Sequence, residues 1–339
     1  VSRVLSTLGL LIPAIVGVTL VVDYTRFIAQ PFDIGEQTRL YEITPGSSFR
    51  KVVDDLHHQG IIHRPYYWRL FARLQGKASK IKAGRYRLVG RISPIELLNM
   101  FVKGKTVQYS LTLLEGWNYR QVLDAVMAHP EIKTTLPEGG DLMALLGQPG
   151  MNPEGWFYPE TYYFPEGTTD VEFLARSHKL MRDRLQHEWT SRADGLPLKT
   201  PYEALILASI VEKETAIPDE RPMIAAVFLS RLKKGMRLQT DPTVIYGMGD
   251  KYDGNIRYQD LRRDTPYNTY LHRGLTPTPI AMPGGAALHA VLNPAKSKAL
   301  YFVAKGDGSH HFSRTYQEHR KAVIKYQLGG NASRNEARE

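Results

Sequence analysis

Two stretches of the chain are apolar almost without interruption, and the remainder changes period every ten residues or so. Residues 4–22 carry no charge and are just long enough to span a hydrocarbon core. Residues 204–211 form the second run, which ends in Glu212. Between them, residues 39–43 alternate as a strand does. Pro45-Gly46-Ser47-Ser48 marks a turn and a helix start, and Phe49, Val52, Val53 and Leu56 follow at helical spacing up to Gly60. A second helix is predicted after Pro65, carrying Tyr66, Tyr67, Leu70, Phe71 and Leu74. Residues 84–88 read as a returning strand, and Ser93-Pro94 caps a helix through Phe101 that Gly104 ends. Residues 108–114 make another strand. Helices are expected from Pro201 to about Thr215 and from Asp219 or Pro222 to Lys234, with Asp219 as a candidate cap and Ile224, Val227, Phe228 and Leu232 as the buried stripe.

These patterns predict an α+β protein in four parts: an anchor and juxtamembrane connector (1–37), a small βααβ module (38–107), a larger mixed α+β domain (108–326) and a disordered tail (327–339). The first apolar run follows Arg3 and no A-x-A site follows it, which favours an uncleaved transmembrane helix with its N-terminus inside. The catalytic part would then lie outside the cytoplasm, held at the inner membrane. The absence of cysteine fits a fold held by its core in an oxidising compartment. The formal charge of +10 is scattered along the chain without a nucleic-acid motif; most of it reads as solvated surface, with anionic lipid or an acidic wall polymer as candidate partners. The strand–helix–helix–strand order of the small module resembles a LysM fold, which implies glycan binding; an ordinary packing module is the alternative.

Glu212 is the residue to explain, because burial makes an ionised carboxylate costly. Ala208 and Ser209 lie beneath it at i−4 and i−3 and are expected to leave room for a ligand. Apolar surroundings and the negative end of the helix dipole would raise its pKa and suit it to protonating a leaving-group oxygen. Pairing with Arg221 or Arg237 is the alternative. Glu214, two positions on, points to the opposite side. Gln239, Thr240 and Asp241 crowd hydrogen-bonding groups before a turn, as sugar hydroxyls require, although turns use the same groups as caps. Rings cluster at Trp156, Phe157, Tyr158, Tyr162 and Tyr163 and again at Tyr267 and Tyr270, which suits pyranose stacking; Trp156 and Phe157 are expected in the core. No metal-ligand spacing, Walker loop or hydrolase elbow is present, and no cofactor is expected.

Four segments together carry a resemblance: Glu154-Gly155-Trp156-Phe157-Tyr158-Pro159-Glu160-Thr161, Ala208-Ser209-Ile210-Val211-Glu212-Lys213-Glu214-Thr215, the run from Met236 to Gly247, and Tyr267-Asn268-Thr269-Tyr270. In them the chain resembles the YceG-like endolytic murein transglycosylases. Ser230, Thr276-Pro277-Thr278 and Met282 depart from the usual pattern. The resemblance implies cleavage of MurNAc–GlcNAc bonds within peptidoglycan strands, with the catalytic Glu at Glu212 acting first as acid and then as base to leave 1,6-anhydro-MurNAc ends. Substrate contacts would come from Gln239, Thr240, Asp241, Tyr246, Tyr158, Glu160, Asn268 and Tyr270. It also implies penicillin-binding proteins as partners. The rivals are a hydrolytic muramidase, with Asp241 as a second carboxylate, and a non-catalytic peptidoglycan-binding adaptor.

Overall fold

A computed structural model describes residues 2–329, with side chains described from residue 15 onward. Most of the expected disordered tail, residues 330–339, lies outside the described residues. The fold is mixed α+β: helices dominate, and the sheets among the described residues are two-stranded antiparallel pairs or small ribbons. The described residues form two compact units, one running up to residue 109 and including 163–167, the other of residues 110–162 and 168–329. The chain crosses between them within strands Gln108–Thr112 and Thr161–Pro165.

In the first unit, strands Arg39–Ile43 and Gly84–Leu88 pair antiparallel, Arg39 opposite Leu88 and Ile43 opposite Gly84. Helices Phe49–His58 and Pro65–Leu74 fill the connection, and helix Pro94–Lys103 follows. The alternation in the strands sends Tyr41, Ile43, Tyr86 and Leu88 inward, where they meet Val53, Leu56, Trp68 and Phe101. Ser93 and Glu96 form a capping box, and Gly104 ends that helix in the left-handed region at φ 68°. The N-terminal helix runs from Ser2 to Ala29, past the expected end of the apolar run at Val22. Its last turns are helical because they have something to pack on: Phe27 is buried in the core, Tyr24 and Ile28 pack against it, and Asp23 accepts hydrogen bonds from Arg64 and Tyr67. Among the described residues, no helix is long and apolar enough to cross a membrane; the side chains of residues 4–14, over half of the expected span, are not among them.

The second unit is built around helix Pro201–Glu214. Thr200 caps it, its hydroxyl accepting from the Glu203 N–H, and Pro201 occupies the first turn. Every residue from Ala204 to Val211 is buried, as expected of a helix apolar on all sides. Helices Asp170–Thr190, Arg221–Lys233, Asp241–Met248 and Gly285–Leu292 surround it. Asp219 is not the cap of the helix that follows. Pro218 and Pro222 instead shape a 3₁₀ turn, Pro218–Glu220, from which the helix starts at Arg221. A hairpin of Tyr301–Ala304 and His310–Ser313, then helix Tyr316–Tyr326, complete the unit.

Candidate active site

The buried helix Pro201–Glu214 delivers two carboxylates at its C-terminal end, on opposite sides as the spacing requires. Their surroundings differ. The Glu212 side chain is only 5% exposed, and both of its oxygens are occupied. Arg221 Nη2 donates to Oε1 at 3.2 Å, and the Gly284 N–H donates to Oε2 at 2.9 Å. Of the two arginines open as partners on sequence grounds, Arg221 is the one used. Burial, with some help from Glu115, still raises the Glu212 pKa; the Gly284 N–H and Arg221 oppose the rise.

The expected room for a ligand beneath Glu212 is filled. Ala208 and Ser209 are fully buried, and the Ser209 hydroxyl accepts from the Ile280 N–H at 2.9 Å while donating to Ile206 O at 2.7 Å. Small residues here serve close packing, because they let the segment before helix Gly285–Leu292 run against the central helix. Glu115 closes the cluster from the other side. Its carboxylate lies 3.8 Å from Arg221, and its Oε1 packs so closely over Gly284 that a Cβ there would push the Glu115 side chain aside.

Glu214 faces a cavity of about 460 Å³. Gln239, Asp241 and Tyr270, three of the residues expected to bind substrate, line the same cavity, together with Arg231, His310 and His319. Glu214 is only partly exposed, and its Oε2 accepts from the Thr240 hydroxyl at 2.6 Å. Burial pushes its pKa up to about 7, with the Asp241 charge adding to the rise and the Thr240 hydrogen bond, His310 and Arg231 opposing it. A carboxyl group that keeps its proton near neutrality beside an open cavity is placed to donate that proton.

The cavity wall is held from outside. Gln239 sits in the left-handed region at φ 51°, a sparsely populated conformation for a non-glycine residue. The Thr269 carbonyl and hydroxyl hold it there by accepting from the N–H groups of Gln239 and Thr240. Tyr270 donates to Asp241 Oδ1 at 2.6 Å. Asn268 is fully buried and does not reach the cavity. Its amide donates to the carbonyls of Leu261 and Arg263 and its carbonyl accepts from the Tyr270 N–H, so it shapes the loop that carries Tyr270.

Three other expected contacts lie elsewhere. Tyr246 donates to Glu154 Oε2 at 2.9 Å. Tyr158 is buried beside Gly285, whose N–H donates to its hydroxyl. Glu160 is exposed, and its Oε1 accepts from the Thr161 N–H. Trp156 and Phe157 are buried as expected.

Three carboxylates to which the sequence reading assigns no role stand out. Glu214 faces the cavity described above. Glu154 is buried, accepts from Tyr119 N and Tyr246 Oη, and has its pKa raised to about 7 by burial. Glu115 stands in the run Leu113-Leu114-Glu115-Gly116-Trp117, where a charge between apolar residues was the available signal. Among the described residues no cluster of side chains could hold a metal ion.

The pattern of the YceG-like family matches residues 41–325. The endolytic murein transglycosylase of Bacillus subtilis (strain 168) is 30% identical over 324 residues, which cover 89% of this chain and 89% of that protein. Its counterpart in Streptococcus pneumoniae serotype 2 (strain D39) is 28% identical over 328 residues, 84% of this chain and 57% of that protein. The crystal structure of a YceG-like protein from Listeria monocytogenes superimposes with a TM-score of 0.51 at 30% identity, covering 84% of this chain and 99% of that one. The match takes in the segments that supply both carboxylates and the wall of the cavity, and the chain belongs to the YceG-like family.

Proposed function

We propose that this chain is an endolytic murein transglycosylase and that Glu214, not Glu212, is its acid. The observation that carries the assignment is the cavity that Glu214 shares with Gln239, Asp241 and Tyr270. Both oxygens of Glu212 are engaged by N–H donors, one of them the cationic Arg221, which favours its charged form, and it does not line that cavity. The names of the B. subtilis and S. pneumoniae relatives support the substrate class.

One carboxyl group suffices for the chemistry. Glu214 gives its proton to the glycosidic oxygen, and the bond from that oxygen to C1 of MurNAc breaks. The MurNAc C6 hydroxyl then attacks C1 and returns its proton to Glu214. The product carries a 1,6-anhydro ring, and no water is consumed. Hydrolysis requires a water and, in the usual arrangement, a second carboxylate. Asp241 lines the same cavity, which keeps a muramidase as the second reading.

The anchor, the small module and the location belong to the same proposal. The uncharged residues 4–22 lie within helix Ser2–Ala29, which supports a single membrane pass with the second unit outside the cytoplasm. The paired strands and two helices of the first unit support a LysM-like, glycan-binding role. A membrane-proximal enzyme of this kind would meet new strands where penicillin-binding proteins make them, and co-purification from cross-linked membranes tests that.

Comparing Glu214→Gln with Glu212→Gln tests the acid. Glu214→Gln should lower cleavage of purified glycan strands by about 10²–10⁴-fold while leaving strand binding intact. Glu212→Gln should keep most of the turnover and melt earlier, since it breaks a buried ion pair worth about 3 kcal/mol when one partner is lost. Full cleavage by Glu214→Gln, with none by a folded Glu212→Gln, would return the acid to residue 212. Strand binding with no cleavage by the wild type would favour the adaptor.

A further inference from the structure

The first unit holds a cavity of about 600 Å³ that the chemistry above does not use. Arg50, Arg69 and Arg73 line it, with the Tyr66 ring and the hydroxyls of Ser47 and Ser79. Among the described residues, no carboxylate does. Helix Pro65–Leu74 places Tyr66, Arg69 and Arg73 on one face by their spacing of three and four. Arg50 comes from the first turn of helix Phe49–His58, whose dipole presents its positive end there. Asp54, behind the wall, accepts from Arg69 Nη2 at 2.5 Å and lies 4.0 Å from Arg50. One carboxylate against three guanidinium groups leaves two positive charges in excess. Arg69 Nε is buried without a hydrogen-bond partner, and a buried donor in that state calls for an explanation. The Tyr66 ring is 71% exposed.

A guanidinium fork matches a carboxylate in shape and charge, and an exposed ring offers a face to a sugar. The size is that of a pocket for one substituted sugar. We infer that this cavity binds murein strands through the free carboxylates of their peptide substituents, so that the first unit selects peptide-bearing strands over bare glycan. The inference rests on the murein reading above and adds the ligand class. Anionic lipid is the other source of negative charge near a membrane. The Tyr66 ring and the hydroxyls of Ser47 and Ser79 beside the arginines suit a sugar bearing a peptide better than a headgroup, and the vesicle arm of the test separates the two.

The test measures binding of the full-length Glu214→Gln chain to three probes: glycan strands bearing peptides, the same strands stripped by an amidase, and phosphatidylglycerol vesicles. Arg50→Gln/Arg73→Gln spares the Arg69–Asp54 pair, and its melting curve verifies folding. The double variant should bind peptide-bearing strands at least tenfold more weakly and bind stripped strands unchanged. Equal affinity for peptide-bearing strands, an equal loss on both kinds of strand, or a loss confined to vesicles would overturn the inference. Cleavage by the wild type is scored separately. If it persists while the preference for peptides is absent, the inference fails and the murein reading stands; if murein is never cut, the murein reading itself fails.

Discussion

Glu212 and Glu214 differ by two positions and by everything around them. Glu212 is locked between Arg221 and the Gly284 N–H, whereas Glu214 meets a cavity and holds its proton to about pH 7. The pH dependence follows from the direction of that shift. An acid catalyst must be protonated, so kcat/KM should fall as pH rises through about 7. Stability moves the same way. The Glu214 pKa lies above its ordinary value of 4.5, so the folded chain binds this proton more tightly than the unfolded chain. Its contribution is complete below about 4.5 and declines as pH rises to about 7. Glutamine at 214 removes the effect, while Glu154, also near 7, remains in both proteins. The melting temperature of Glu214→Gln relative to wild type should therefore rise between pH 5 and pH 8. A constant difference across that range would mean that Glu214 titrates normally.

At the scale of elements, helix Pro201–Glu214 is the part on which the site depends. Its apolar run announced burial, and burial on all sides is what the structure has. The same run misled on one point, because small residues next to a carboxylate can make room for a ligand or for a neighbouring chain segment. Ser209 decides between them: its hydroxyl accepts from Ile280 N, fastening the segment that leads to Gly284. Ser209→Ala leaves that buried N–H without an acceptor and should cost about 1–3 kcal/mol, measured by urea unfolding. A neutral result would mean that the seam does not depend on this bond. Strands Arg39–Ile43 and Gly84–Leu88 were legible to the residue, since alternation is a local property, whereas the two-residue pair Phe32–Asp33 and Arg91–Ile92 is too short to alternate and was not. The helix Asp241–Met248 was missed, although Asp241-Pro242 is a sound helix start, because the polar residues before it drew attention to a turn.

For the whole molecule, the sequence carried the α+β class and the family, because long segments with fixed residues hold both. It located the loops of the site, and Gln239, Asp241 and Tyr270 do come together. It did not identify the face of the helix that meets them. That depends on which neighbour covers each side, and Arg221, Gly284 and Glu115 cover the Glu212 side from three separate segments. The proposed membrane anchor is tested at the same scale. The chain should sediment with membranes in alkaline carbonate, and release into the supernatant would contradict an integral anchor.

The measurement closest to the central claim is the mass of the fragments that the wild-type chain releases from purified glycan strands. A one-carboxyl reaction in which the MurNAc C6 hydroxyl displaces the leaving oxygen predicts fragments with 1,6-anhydro ends and no incorporation of solvent oxygen. Fragments one water heavier, ending in reducing MurNAc and carrying ¹⁸O when the digestion is run in labelled water, would contradict it.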